Sequence, residues 1–332
     1  MNKFKRLLRN IVLFPMTLVF GAVTHNTNTI DGNLSAENKT FYDRALLKRL
    51  KPRLVFWQYG QKRPIPKKEG DTINFRRYAA LPADTTVLTE GVTPPGSELS
   101  ETVITAKAKQ YGKFVTLSDK LDMVGIDDNA TEAAEILGDW GGLTVDTIVR
   151  DIVANGSNVL YANGTGTEEV GAANVITSDL IKKAVRALRR QNANPVEGKC
   201  FIGFIHPDTA YDLQNDPLWQ DVSKYNGGEA IIDGEVGKIH GVRFIETTNA
   251  PIFAGEGADG ADVYGTIIIG ADAYGCIEIE GEGAPRILLK DAKSGGTEDP
   301  LEQRSTVGCK FMMTAARLDE LSMIRIEHGT TA

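Results

Sequence analysis

Two alternating segments constrain this chain most, because they read as a long limb that a single folded domain has no use for. Between Glu69 and Leu117, two extended stretches flank the Pro/Gly-rich segment Glu90–Gly96 (EGVTPPG). On the outgoing leg, Thr72–Tyr78, Ile73 and Phe75 alternate with Asn74 and Arg76. On the return leg, Ile104, Ala106, Ala108 and Phe114 are expected on one face, with Thr105, Lys107, Lys109, Tyr111 and Lys113 on the other. Period two marks a strand with one side covered. Legs of about 20 residues reach some 60 Å at ~3.3 Å per residue. A hairpin of that kind has little core of its own and is marginal alone. Its covered face is therefore expected to meet another copy of the chain, as in an assembly subunit.

The 332 residues suffice for one large or two ordinary domains with a sizeable core. The formal charge is −7, and no basic domain stands out, which argues against tight sequence-specific nucleic-acid binding. An acidic shell can still enclose nucleic acid, because enclosure requires no grip. Cys200, Cys276 and Cys309 lie far apart and form neither a CxxC pair nor a zinc spacing, so they read as buried free thiols in a reducing compartment.

The first 23 residues admit two readings. Lys3, Lys5, Arg6 and Arg9 precede the apolar run Ile11–Val23, interrupted by Pro15, which imitates a secretory signal. Its cleavage pattern is poor, and the run is short for a membrane span. The alternative is a start at Met16 or a removed or misassigned leader. Nothing after residue 24 reads as a membrane segment.

Helical spacing predicts a helix over Ser35–Leu50 and a long one from Asp127 or Asp128 to Ala154, with Gly138, Gly141 and Gly142 inside it. Each glycine costs roughly 1 kcal/mol against Ala, so close backbone packing or a bend is expected there. A further helix is expected over Ser178–Gln191, capped by Ser178 and closed by Arg189 and Arg190. Leu54–Trp57 and Arg63–Pro66 read as an arm lying across another surface. Cys200–Ile205 reads as a buried strand, His206–Leu213 as a short helix, and Val242–Ile245, Thr266–Ile269 and Cys276–Ile279 as strands. Thr306–Ala315 and Met323–Glu327 read as a terminal β-hairpin.

No catalytic constellation emerges. Gly164–Thr167 lacks the Lys-Ser/Thr of a phosphate loop, and His206-Pro207-Asp208 reads as a helix start. Four scattered histidines make no metal site. The acidic pairs Asp127-Asp128 and Glu298-Asp299 suit capping or solvation. No cofactor is expected. Lys67, Lys68, Arg76 and Arg77 on the limb could pair with a neighbour's carboxylates or simply be solvated. With Ile104 and Phe114 they form the candidate intersubunit contacts.

The order of parts, and several short stretches, carry a resemblance. These include Gly70-Asp71-Thr72-Ile73, Phe75-Arg76-Arg77-Tyr78, Leu88-Thr89-Glu90-Gly91-Val92 and Ile205-His206-Pro207-Asp208. Ala210-Tyr211-Asp212-Leu213, Gly241-Val242-Arg243-Phe244, Thr247-Thr248-Asn249-Ala250-Pro251 and Gly270-Ala271-Asp272-Ala273-Tyr274-Gly275 add to them. The most specific is Asp299-Pro300-Leu301-Glu302-Gln303-Arg304-Ser305-Thr306-Val307-Gly308. Together they resemble the major capsid proteins of tailed bacteriophages with the Hong Kong 97-like (HK97-like) fold, in the branch typified by coliphage N-four.

The resemblance implies an α+β fold with an N-terminal arm (24–66) and an extended loop (67–119). It implies a peripheral domain (120–196 with 300–329) built on a spine helix, and an axial domain (197–299). Residues 1–23 match no part of that pattern. It implies a non-enzymatic homo-oligomer of hexamers and pentamers in the virion, assembled in the host cytoplasm. Scaffold and portal proteins would be its partners, and DNA would be enclosed without sequence-specific binding. An encapsulin-like cellular shell is the alternative, and a secreted enzyme or surface protein the third.

Overall fold

The computed structural model describes residues 54–93, 96–124, 129–196, 198, 200–217, 235–279, 285–292 and 299–331. Residues 1–23, the Ser35–Leu50 helix and the caps Asp127 and Asp128 lie outside the described residues. Three short elements open the described chain: helix α1 (Phe56–Tyr59), strand β1 (Gln61–Ile65) and strand β2 (Thr72–Tyr78). β3 (Glu101–Lys107), β4 (Lys109–Ser118), the short α2 (Asp119–Val124) and the long α3 (Asn129–Ala154) follow. β5 (Val159–Tyr161), α4 (Ser178–Arg190), β6 (Phe201–Ile205) and α5 (Pro207–Asn215) continue the chain. The rest is β-rich: β7 (Glu235–Ile239), β8 (Val242–Glu246), β9 (Ile252–Phe253), β10 (Val263–Ile269), β11 (Tyr274–Ile279), β12 (Arg286–Lys290), β13 (Arg304–Arg317) and β14 (Met323–His328).

One sheet has the order β5-β14-β10-β6-β8-β7, with β9 also on β10. It is buried on both faces, which is why FIGFI and the Ile267–Ile269 triplet read as continuous apolar runs. Ile202, Phe204, Ile267, Ile269 and Met323 share a core with α3. Phe201, Ile205, Phe244, Ile268, Ile324 and Ile326 share another with Ile181, Ala184, Val185 and Leu188 of α4. Gly203 is required in β6, because a Cβ there would come within 2.7 Å of the Phe244 ring.

The second sheet has the order β1-β11-β13-β12, with β4 also on β13. Val307, Cys309, Phe311 and Met313 are buried in the α3 core, as their alternation requires. Trp140 of α3 meets Phe311 at 5.9 Å between ring centres. Gly138, Gly141 and Gly142 are all buried along this helix. The last turn of α3 carries no basic residue. Its C-terminal carbonyls are met by strands instead: Arg317 of β13 donates to the carbonyls of Ile152 and Asn155, and Arg325 of β14 to that of Ala154. These cations also face the negative end of the helix dipole.

Several sequence expectations need correction. β13 and β14 are not a hairpin; they are consecutive in sequence but lie in different sheets. The N-cap of α4 is Thr177, whose hydroxyl accepts the Leu180 N–H, and not Ser178. The described end of the arm does not await another molecule: β1 pairs in parallel with β11, and Phe56 is fully buried in the α3 core. The long two-legged hairpin is also shorter than expected, since β2 and β3 pair over only seven residues, Thr72–Tyr78 against Glu101–Lys107. β4 leaves that ladder and pairs with β13 from Lys109↔Met313 to Ser118↔Arg304.

The arm is held by a buried carboxylate. Asp146 of α3 accepts the N–H groups of Phe56 (2.7 Å) and Trp57 (3.4 Å) and the Asn249 amide (3.0 Å). Tyr274 donates its hydroxyl to the Phe56 carbonyl at 2.5 Å. Burial raises the Asp146 carboxyl despite these donors.

His328 ends β14 wholly buried, between the Thr266 hydroxyl (2.9 Å) and the Gly329 carbonyl (2.8 Å). Desolvation pushes its imidazole down to about 4, although the Gly329 carbonyl opposes the shift. The folded chain thus resists a proton that the unfolded chain accepts near pH 6.5. This stabilisation is complete above that pH and is lost as pH falls toward 4, with about 2 kcal/mol gone by pH 5. Urea unfolding of unassembled protein at pH 7 and pH 5 should show this loss in the wild type. It should be largely absent from His328→Gln, and equal slopes in the two proteins would refute the assignment.

Candidate assembly surface

The limb is anchored at its base and bare beyond it. Ile73, Phe75 and Ile104 pack against Ile65, Ala106, Ala108, Ile277 and Ala316. Lys107 pairs with Asp71 at 3.2 Å, and Arg76 with Glu101 at 3.3 Å. Arg77 reaches Asp319, in the turn after β13, at 2.6 Å. Burial would raise the Asp319 carboxyl, but hydrogen bonds from Ser322, Arg77 and the Leu321 N–H hold it below the usual range. Every described residue from 76 to 103 is exposed. The ladder continues one step past Tyr78, where the Ala79 N–H donates to the Ser100 carbonyl at 2.9 Å. No described residue from there to Ser100 is in a strand. Leu81, Val87, Leu88, Val92 and Leu99 stand in solvent on this tip, with Val87 87% exposed. The tip carries Asp84, Glu90 and Glu98 and no cation.

The six candidate contact residues fall in different settings. Lys67 and Lys68 are exposed at the limb root, with Lys68 at a positive φ of 71°. Arg76 and Arg77 find carboxylates within their own chain. Ile104 is half-buried against its own chain. Phe114 does not share the Ile104 face. At Ala108 the chain changes partner from β2 to β13, and the alternation changes phase there, so that Tyr111, Val115 and Leu117 face the core. Lys113 sits 6.0 Å from the Trp140 ring. Phe114 is left 68% exposed on the outer face, opposite Gly308, which in turn pairs with the exposed Leu288. Ile136 and Leu143 of α3 and Met123 and Val124 of α2 add further exposed apolar surface. The tip residues Leu81, Val87 and Leu99 are absent from the sequence-based contact set; their signal is an apolar segment without period and without cations.

Among the described residues, no group of three or more His, Cys, Asp or Glu could hold a metal ion. Burial raises the Cys276 thiol and pushes Cys309 up to about 12, so neither is a nucleophile near neutral pH. In the Gly164–Thr167 loop, the Glu169 carboxylate itself accepts the Thr165 N–H at 2.7 Å. His206 caps α5, accepting the Asp208 N–H at 3.3 Å. Its carboxylate neighbour Asp208 accepts the Tyr264 hydroxyl at 3.0 Å.

A mixed fold with two sheets packed on a long helix, and an exposed limb, is the α+β fold of the HK97-like class. Solved structures share the fold. The cyanophage Pam1 capsid is 15% identical, with 84% of this chain and 93% of that one covered, at a TM-score of 0.68. The capsid of Ralstonia phage GP4 is 15% identical over 82% and 88%, at 0.66. The SrpI encapsulin complex from Synechococcus elongatus is more distant, at 8% identity over 86% and 90% and a TM-score of 0.54. No curated protein matches the sequence. A family model described as "Phage capsid protein" matches residues 101–325, well over half of the chain. The chain belongs to the phage capsid protein family, a structural family of the virion shell rather than a family of enzymes.

Proposed function

We propose that this chain is the major capsid protein of a tailed phage of the coliphage N-four type. Copies assemble as hexamers and pentamers in the host cytoplasm, with scaffold and portal proteins, around double-stranded DNA. Residues 67–119 act as the extended loop, 120–196 with 300–329 take the peripheral position in the capsomer, and 197–299 the axial one. The observation that carries this reading is the limb: every described residue from 76 to 103 is exposed, and its tip presents apolar side chains to solvent. Obligate interfaces bury ~2,000–5,000 Å² with apolar centres, and a limb of this kind supplies such area.

Size-exclusion chromatography with negative-stain microscopy tests it. Closed particles are expected on expression, aided by a scaffold where one is encoded nearby. A stable monomer at high concentration, with scaffold supplied, would refute the proposal. A co-purifying cargo enzyme in place of DNA would move the chain to the encapsulin-like alternative, which the distant encapsulin likeness keeps in view.

A further inference from the structure

A cationic stripe on α4 stands apart from the acidic balance of the chain. The segment Lys182–Arg190 holds Lys182, Lys183, Arg186, Arg189 and Arg190 and no carboxylate, in a chain of net charge −7. Lys183 pairs with Asp179 at 2.9 Å. Lys182, Arg186 and Arg189 recur at four- and three-residue spacing, which places them on one helix face along about 10 Å at 1.5 Å per residue. They are all exposed, while Ile181, Ala184 and Leu188 on the opposite face fill the core. With Arg190 and Val185 they line one side of a cleft of roughly 830 Å³, and His240, in the β7–β8 turn, lines the other. The helix dipole accounts for Arg189 and Arg190 in the last turn, but not for Arg186 and Lys182, one and two turns earlier.

We propose that this stripe binds the phosphate backbone of enclosed double-stranded DNA, without reading its sequence. This rests on the reading of the chain as a DNA-enclosing shell subunit. Three of the four lining cations are arginines, whose planar fork matches phosphate oxygens in pairs. Among the described residues no carboxylate lines the cleft, and the apolar residue on its wall, Val185, is 4% exposed. The described lining thus offers a peptide partner no large apolar side chain of the kind that anchors protein interfaces. A polyanion needs only the row of charges, and repetition over many copies makes weak contacts sufficient for a packed cargo.

The test uses full-length unassembled protein and a labelled mixed-sequence duplex of about 30 base pairs, titrated between about 50 and 200 mM salt. Three or four phosphate contacts give a log–log salt slope of about −3. Lys182→Gln/Arg186→Gln/Arg189→Gln is expected to lose at least about tenfold in affinity at low salt and most of that slope. A control with the same charge loss elsewhere, Lys120→Gln/Lys290→Gln/Lys310→Gln, all exposed, should keep both. Equal losses in the two triple variants, or none in the first, would overturn the proposal. So would displacement of the duplex by polyglutamate at equal charge, which would mark a site for acidic protein. Negative-stain microscopy of the same proteins separates the underlying reading: a wild type that binds duplex but never forms shells removes the shell assignment, not the stripe. Failure of only the first variant to form shells, with duplex binding intact, would make α4 a subunit contact and overturn the proposal.

Discussion

Excising residues 80–99 and joining Ala79 to Ser100 through an Asn-Gly turn is expected to give a folded protein that forms no shells. The graft point is set by the ladder itself, since Ala79 and Ser100 are already joined by a backbone hydrogen bond. A two-residue type I′ turn matches the twist of the flanking strands. Every described residue removed is exposed, so folding loses no core contact. The change in unfolding free energy should stay within about 0.5 kcal/mol, as for surface substitutions away from special features. Assembly loses far more. Five apolar side chains, Leu81, Val87, Leu88, Val92 and Leu99, are exposed on the tip. Each is worth ~1.5–3 kcal/mol when covered, before the costs of association. A shell repeats that loss at every subunit. Urea unfolding should coincide with the wild type, while light scattering and microscopy show no particles. Shells of normal size from the excised protein would refute the limb as the unfinished surface.

The second large effect concerns a charge pair inside one molecule. Arg325 meets Glu327 at 2.6 Å, with the two side chains 14% and 1% exposed. Glu327 also accepts the Thr167 hydroxyl at 2.6 Å, and Arg325 lies 5.1 Å from the Phe253 ring while capping α3. Arg325→Met would leave Glu327 buried without its cation. Breaking one side of such a pair costs about 3–5 kcal/mol, a large part of a domain's stability. Arg325→Met/Glu327→Gln should recover much of this, because the uncompensated charge is gone. Urea midpoints of the two variants decide it. A single variant within about 1 kcal/mol of wild type would show that the carboxylate is not stranded.

Period and spacing made several elements legible. Val307, Cys309, Phe311 and Met313 alternate because β13 has one face on α3, and Leu137, Val145 and Val149 recur helically because α3 lies along it. His206-Pro207-Asp208 could be read as a helix start because its cap is local. Partner choice was not legible. β13 pairs with β4, some 200 residues away by its register, and β14 pairs with β10, which no local signal announces. The side of Phe114 departs from expectation for the same reason: alternation holds only while a strand keeps one partner, and the chain changes partner at Ala108. Asp146 and Arg325 carried no signal either, since the groups that make them matter come from distant segments.

By itself the sequence determined what each segment could be, through side-chain periodicity, breakers and caps, all properties of neighbours along the chain. The tertiary structure alone decided which faces were covered by this molecule and which were left open, because burial depends on contacts between residues far apart in sequence. That is why the arm near Phe56 is internal, whereas the described tip residues from Ala79 to Ser100 are exposed.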